Sequence, residues 1–112
     1  MKKLLTLLLS VITLTLTAQT WTANDMNGVS YDMVNFSNKA TLVDISAHWC
    51  GPCWSWHTGG VMEELYHDFG PDGTDEFMVF FIDGDAASSV SLLNGASGSV
   101  GNWVTGTPYP LI

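Results

Sequence analysis

Cys50 and Cys53 are the only two cysteines of the 112-residue chain, and Gly51-Pro52 stands between them. A C-x-x-C pair in an α/β context is a redox motif, because two intervening residues let the sulfurs close a small disulfide ring across the first turn of a helix. The expected chemistry is dithiol–disulfide exchange. A helix that starts at the pair presents unpaired N–H groups and the positive end of its dipole to the first sulfur, which favours the thiolate there. Cys50 is therefore expected to attack, and Cys53, one turn further in, to resolve the mixed disulfide. Pro52 fits the first helical turn, where a missing N–H costs nothing, and Gly51 leaves room for a substrate backbone.

Two other uses of the pair compete. A structural zinc site needs four ligands and the chain has no second C-x-x-C, but His48 and His57 flank the pair, so a Cys2His2 or soft-metal site is the metal alternative. A purely structural bridge closing so short a loop removes little entropy from the unfolded chain. The redox reading calls for no metal and no cofactor beyond the Cys50–Cys53 disulfide.

The elements around the motif begin after residue 18. Lys2 and Lys3, an apolar run from Leu4 to Leu16, and the small-residue site Thr17-Ala18 predict a secretory signal peptide over residues 1–18, followed by one domain over 19–112. The apolar run is shorter than the ~20 residues of a membrane-spanning helix, so no stable insertion is expected once the signal is cleaved. Without the signal, Lys39 is the one remaining Lys or Arg against eleven carboxylates. Such a balance argues against nucleic acid or an anionic membrane as a partner.

Downstream, Trp21 to Asn27 has the composition of a turn ahead of Gly28, and the alternation of Val29, Tyr31 and Met33 predicts a short half-buried strand. Ala40 to Ala47 is an apolar run of strand length, expected to be a central strand buried on both faces. Beyond the cysteines, Val61, Met62, Leu65 and Phe69 continue at helical spacing. They predict a helix from about Pro52 to Asp68, bent or interrupted at Gly59-Gly60 and stopped by Gly70-Pro71. Phe77 to Ile82 predicts a second buried strand, Asp83-Gly84-Asp85 its exit turn, and Ala86 to Asn94 a short helix.

Asp44 interrupts the first apolar strand six residues before Cys50. It reads either as a strand-end carboxylate turned to solvent or as a buried acid that accepts the proton of Cys53. The block Ala40-Thr-Leu-Val-Asp-Ile-Ser-Ala-His-Trp-Cys-Gly-Pro-Cys53 resembles the strand, active site and helix start of thioredoxins. That resemblance implies the proton-accepting role for Asp44 and a place beside the active site for Trp49. Asp25-Met-Asn-Gly28, followed by a short strand, is similar to the entry of TlpA-like extracytoplasmic members. The implied fold is a thioredoxin-like three-layer α/β architecture with a central mixed sheet flanked by helices.

The chain also departs from that pattern. Where thioredoxins often carry a basic residue and a kinking proline, this chain has Trp54 and Thr58. Trp54 and Trp56 are candidates either for contact with an apolar substrate segment or for packing, and His48 and His57 for tuning Cys50 or for surface and capping positions. Near the end, Val104-x-Gly106-x-Pro108 resembles the site of the cis-proline that lies beside the dithiol in thioredoxins and contacts substrate. Alternatively, Tyr109-Pro110-Leu111-Ile112 is the inserted strand of TlpA-like proteins, and the long gap after Asp83 favours this second assignment. Either assignment leaves the C-terminal hairpin and helix of the fold missing, so the sequence is expected to be an incomplete version of a longer chain.

The resulting expectation is an exported, periplasmic or extracellular thiol–disulfide oxidoreductase. Its partners would be protein thiols and disulfides, and Gly-Pro between the cysteines, the thioredoxin dipeptide, implies a reductant fed by a membrane electron donor. The alternative is a non-catalytic thioredoxin-like binding module that uses its Trp-rich face. A metal carrier built on the C-x-x-C and its histidines is third.

Overall fold

In the computed structural model, which describes residues 20–112, the chain enters through an antiparallel hairpin of β1 (Thr22–Asn24) and β2 (Ser30–Asp32). The expected signal peptide, residues 1–18, lies outside the described residues. Asp25 shapes the hairpin turn: its Oδ1 accepts the N–H groups of Asn27 and Val29, both at 2.9 Å, and Gly28 adopts φ +82° to complete the reversal. A three-residue strand inside a polar stretch carries no periodicity, so β1 falls where the sequence predicts only a turn. The strand expected from Val29 onward stops at Asp32, whose carboxylate caps Val34 N–H at 3.0 Å and starts a single 3-10 turn, Met33–Phe36.

β3 (Ala40–Ser46) runs parallel to β4 (Phe77–Asp83) in an unbroken seven-residue register that sets Asp44 opposite Phe81. The strand buried on both faces is β4 rather than β3. Ile45 of β3 is 68 % exposed and Val43 is also exposed, whereas Met78, Val79, Phe80 and Phe81 of β4 are all buried. Position in the sheet explains the difference. β4 is hydrogen-bonded to β3 on one edge and to the C-terminal segment on the other, through Phe81 N–H to Pro110 O (3.0 Å) and Ile112 N–H to Phe81 O (2.8 Å). Among the described residues β3 pairs with β4 alone. Mixed pairing is thus divided between two small sheets, the antiparallel hairpin and the parallel pair.

Period-two alternation sends β4 side chains into both layers. Phe80 packs edge-on against Trp21, Tyr31 and Phe36 at centroid distances of 5.3–5.6 Å, which seats the hairpin on one face of the sheet. Val79 and Phe81 join Met62, Leu93, Trp103, Tyr109 and Leu111 in the core on the other face.

The single helix expected from Pro52 to Asp68 is two helices, α1 (Gly51–His57) and α2 (Val61–Phe69). Gly60 separates them with φ +79°, a left-handed conformation that only glycine adopts without strain. The break frees α2 to lay Met62 on β4 and leaves His57 at the end of α1, buried against the core. α3 (Val90–Leu93), capped by Ser89, is shorter than the expected 86–94 helix. The stretch from Trp103, expected to begin as a strand, is a loop that drives the fully buried Trp103 indole inward. Strand pairing begins only at Leu111, which bridges Phe81.

Candidate functional site

The end of β3 and the start of α1 bring the two cysteines together. After Ser46 the chain turns through Ala47–Trp49, with Cys50 N–H bonded to Ala47 O at 2.8 Å, and Cys50 caps α1. Its Sγ accepts the Cys53 N–H at 3.3 Å, and the two sulfurs form a disulfide across a Cα–Cα distance of 5.3 Å. Pro52 lies in the first turn. A Cβ placed on Gly51 would meet nothing within 4 Å, so the surface over the dipeptide is open.

A groove of about 470 Å³ runs beside the disulfide, bounded by Ile45, Ser46 and Ala47 of the β3 end, by Trp49, Cys50 and Cys53, and by Gly84–Ala86. Trp49 is 59 % exposed, and its indole N–H donates to Asp85 Oδ2 at 2.8 Å. The backbone N–H of Ala87, and after it the Trp49 indole, hold the Asp85 carboxyl below the usual carboxylate range. The groove rim therefore carries a fixed negative charge next to an apolar ring.

His48, expected either to tune Cys50 or to take a surface or capping position, is only 7 % exposed and is tied to the segment before Cys50. Its carbonyl accepts three hydrogen bonds, from Val100 N–H (3.0 Å), Ser99 Oγ (3.1 Å) and Trp103 Nε1 (3.3 Å). Its ring lies 3.1 Å from Ser88 Oγ, which in turn donates to Asp83. The residue two positions before the first cysteine is thereby tied to the β4 exit and to the 99–103 loop.

Asp44 is half-buried on β3, and Ser46 Oγ lies 3.1 Å from each of its carboxylate oxygens. No hydrogen bond joins it to Cys53 among the described residues. Trp54 packs rather than facing the groove. It stacks on His57 (5.5 Å), meets Trp103 edge-on (5.0 Å), and covers Gly101 so closely that a Cβ there would lie 2.3 Å from the indole. Pro108 is also outside the groove. Its peptide bond is trans, and it borders a separate cavity with Asp25, Tyr31 and Tyr66. The segment Pro110–Ile112 is bonded to β4 through Phe81 and Asp83, and Pro108 does not line the groove beside the dithiol.

One cluster has no counterpart among the sequence expectations. His57, 5 % exposed, lies with Nδ1 3.2 Å from Tyr109 Oη and Nε2 3.3 Å from Thr107 Oγ1, and Tyr109 Oη donates to Glu63 Oε1 at 3.1 Å. Burial lowers the His57 pKa against the opposing pull of Glu63 and Asp44, and burial followed by the Glu63 charge raises that of Tyr109. The available signal was the spacing of His57 four residues after Cys53, which puts both on one face of α1. Glu63 and Tyr109 join only through tertiary structure.

Among the described residues no group of three or more His, Cys, Asp or Glu side chains converges to hold a metal ion, and no helix is long and apolar enough to cross a membrane. No family model matches the chain, and no curated protein does. Among solved structures, the solution structure of a "putative thioredoxin from Neisseria meningitidis" matches with a TM-score of 0.57 at 15 % identity, over 85 % of this chain and 56 % of that one. The chain therefore spans little more than half the length of that protein. The likeness shows the fold, which is thioredoxin-like α/β, with a disulfide-bonded C-x-x-C at the head of α1.

Proposed function

We propose that this chain is an exported thiol–disulfide oxidoreductase of TlpA-like type that exchanges its Cys50–Cys53 pair with protein substrates, acting as a reductant. The observation that carries the reading is the Cys50–Cys53 disulfide at the head of α1, open to a groove rather than buried as a staple. In the reduced protein the Cys50 thiolate attacks a substrate disulfide sulfur, forming a mixed disulfide and expelling one substrate thiolate. Cys53 then loses its proton and attacks Cys50 Sγ. The bond to substrate breaks, two electrons have passed to substrate, and the Cys50–Cys53 disulfide is restored. A dithiol partner at the membrane would return the electrons.

Trp49, Gly51 and Pro52 shape the surface over which substrate approaches. The bonding of Pro110–Ile112 alongside β4 supports the TlpA-like assignment. The reduction potential, measured by equilibrating the full-length protein in dithiothreitol or glutathione buffers, tests the direction. A value near the ~−270 mV of thioredoxin is expected, and one near ~−120 mV would make the protein an oxidant. If the pair exchanges with no protein disulfide, the binding-module reading replaces this one, resting on the exposed Trp49, Trp56 and Ile45.

We assign the Cys53 proton to Asp44, on its half-buried place in β3 and its position six residues before Cys50 in the thioredoxin-like block. Asp44→Asn keeps the shape and removes the base. Release of substrate from the mixed disulfide is expected to slow about a hundredfold at pH 7, as for loss of a general base. The difference should close above pH ~8.5, where the thiol ionises unaided. Stopped-flow kinetics with equal rates at pH 7 would remove Asp44 from the mechanism.

A further inference from the structure

We propose that the groove beside the disulfide selects protein segments that carry an arginine next to the cystine, seating its stem on Trp49 and its guanidinium on Asp85. This preference rests on the reading of that groove as the place where substrate meets the dithiol. It names the class of substrate: cationic segments ahead of neutral or acidic ones.

The charge of the groove is one-sided. Among the residues that border it, Asp85 alone is charged while the disulfide stands. Lys39, the one Lys or Arg among the described residues, is already paired with Asp75, so neither side chain type is left to neutralise Asp85. Three backbone donors at this wall are also committed. Gly84 N–H goes to Ser46 O at 2.8 Å, Asp85 N–H to Asp83 Oδ1 at 3.0 Å and Ala87 N–H to Asp85 Oδ1 at 2.9 Å. An acidic side chain entering here meets a like charge and none of these three donors.

The same bonds prepare Asp85 as an acceptor. Ala87 N–H on Oδ1 and the Trp49 indole N–H on Oδ2, the latter at 2.8 Å, pin the carboxylate from both sides. An ionised carboxylate offers about four lone-pair sites, so each oxygen keeps one open. Two open sites on a pinned carboxylate fit the planar fork of a guanidinium better than the point charge of an ammonium. Because the Ala87 N–H and the indole also lower the Asp85 pKa, the charge is present at any pH where a thiolate forms.

Trp49 supplies the apolar half of the subsite. Its indole is exposed and is held beside the carboxylate by its own N–H. A guanidinium bound to Asp85 therefore lies next to an aromatic ring, where its stem covers apolar surface and its charge is drawn to the π-system. The exposed Ile45 extends that wall toward the end of β3.

Peptides of one sequence, with serine in place of cysteine and arginine, glutamine or glutamate flanking it, test the preference. They are titrated into the oxidised full-length protein and read by NMR at the Trp49 indole N–H. The arginine peptide is expected to bind about three- to tenfold more tightly than the glutamine peptide at low ionic strength, the size of one exposed ion pair with a cation–π contact, and the glutamate peptide more weakly than either. Asp85→Asn keeps the side chain's size and removes its charge, and should cut the arginine-to-glutamine ratio to about twofold or less. Asp72→Asn removes the same charge from a turn that does not border the groove, and should preserve the ratio. Failure of the arginine peptide to bind, equal binding of the arginine and glutamine peptides, or a ratio that survives Asp85→Asn overturns the proposal. An equal fall in the two variants does so as well, since it would mean attraction by the whole acidic molecule. The matching disulfide-bridged peptides, mixed with the pre-reduced protein, read exchange separately. Charge-dependent binding at Trp49 without reduction of any of them supports the arginine subsite and overturns the oxidoreductase reading alone.

Discussion

Cys53→Ser is expected to arrest the protein as a covalent adduct with its substrate, and Cys50→Ser to lower exchange to the uncatalysed background without forming one. The asymmetry follows from the positions of the sulfurs. Cys50 caps α1 beside the groove that Trp49 and Ile45 line, while Cys53 lies inside the first turn, its N–H already donated to Cys50 Sγ. Removing the inner thiol leaves attack intact and deletes the only nucleophile positioned to expel the bound substrate. Removing the outer one deletes the first step. Intact-mass analysis after incubation with a protein disulfide reads both outcomes: an adduct on Cys53→Ser, none on Cys50→Ser. An adduct on Cys50→Ser instead would reverse the roles of the two residues.

Trp103→Ala is expected to cost about 3–5 kcal/mol, the usual loss for a large aromatic removed from a packed core. For a domain of this size that corresponds to a fall in Tm of well over ~12 °C. Trp103 is completely buried, with Trp54 and His57 at 5.0 Å and Phe81 at 5.3 Å, so the truncation opens a cavity under α1 and against β4 together. It also removes the indole N–H from the His48 carbonyl. Trp103→Phe should lose less, because most of the apolar contact survives and about 1 kcal/mol of hydrogen bonding does not. Urea melts with the disulfide intact measure both. A loss under ~1 kcal/mol for the alanine variant would mean that the 99–112 segment is not integral to the core.

The redox motif and the main strands were legible because their signals are local. Spacing alone puts Cys50 and Cys53 across one helical turn, and Phe77–Asp83 and Ala40–Ser46 are apolar runs of strand length whatever surrounds them. The glycine break was legible as a site of interruption, but its outcome was not. Whether Gly59-Gly60 bends a helix or ends one depends on what the following turn can bury, and Met62 finds its place only against β4.

Burial was harder to read than element type. β4, with Phe77, Phe80 and Phe81, is the more apolar strand, but both β3 and β4 read as runs fit for a buried strand. Their difference in exposure also depends on which edges are paired, and the partner of the outer edge of β4 lies about thirty residues downstream, at Pro110–Ile112. For His48 and His57 the sequence left tuning of Cys50, a surface place and capping all open, because a lone histidine next to a motif carries no sign of its environment. Both are buried because distant loops deliver their partners: Ser88, Ser99 and Val100 to one, Thr107 and Tyr109 to the other. Pro108 failed as a neighbour of the dithiol for the same reason, since a Gly-x-Pro pattern states a turn but not its address.

By itself, then, the sequence determined the chemistry this protein can attempt and the strand–helix frame that presents it, since both are written in spacings of a few residues and in runs of apolar side chains. Tertiary structure decided which strand is central, where α1 ends, and that a glutamate, a tyrosine and a histidine share hydrogen bonds at the end of α1. Those contacts join residues about fifty positions apart, and long-range contacts of that kind depend on how the whole core packs rather than on any local pattern.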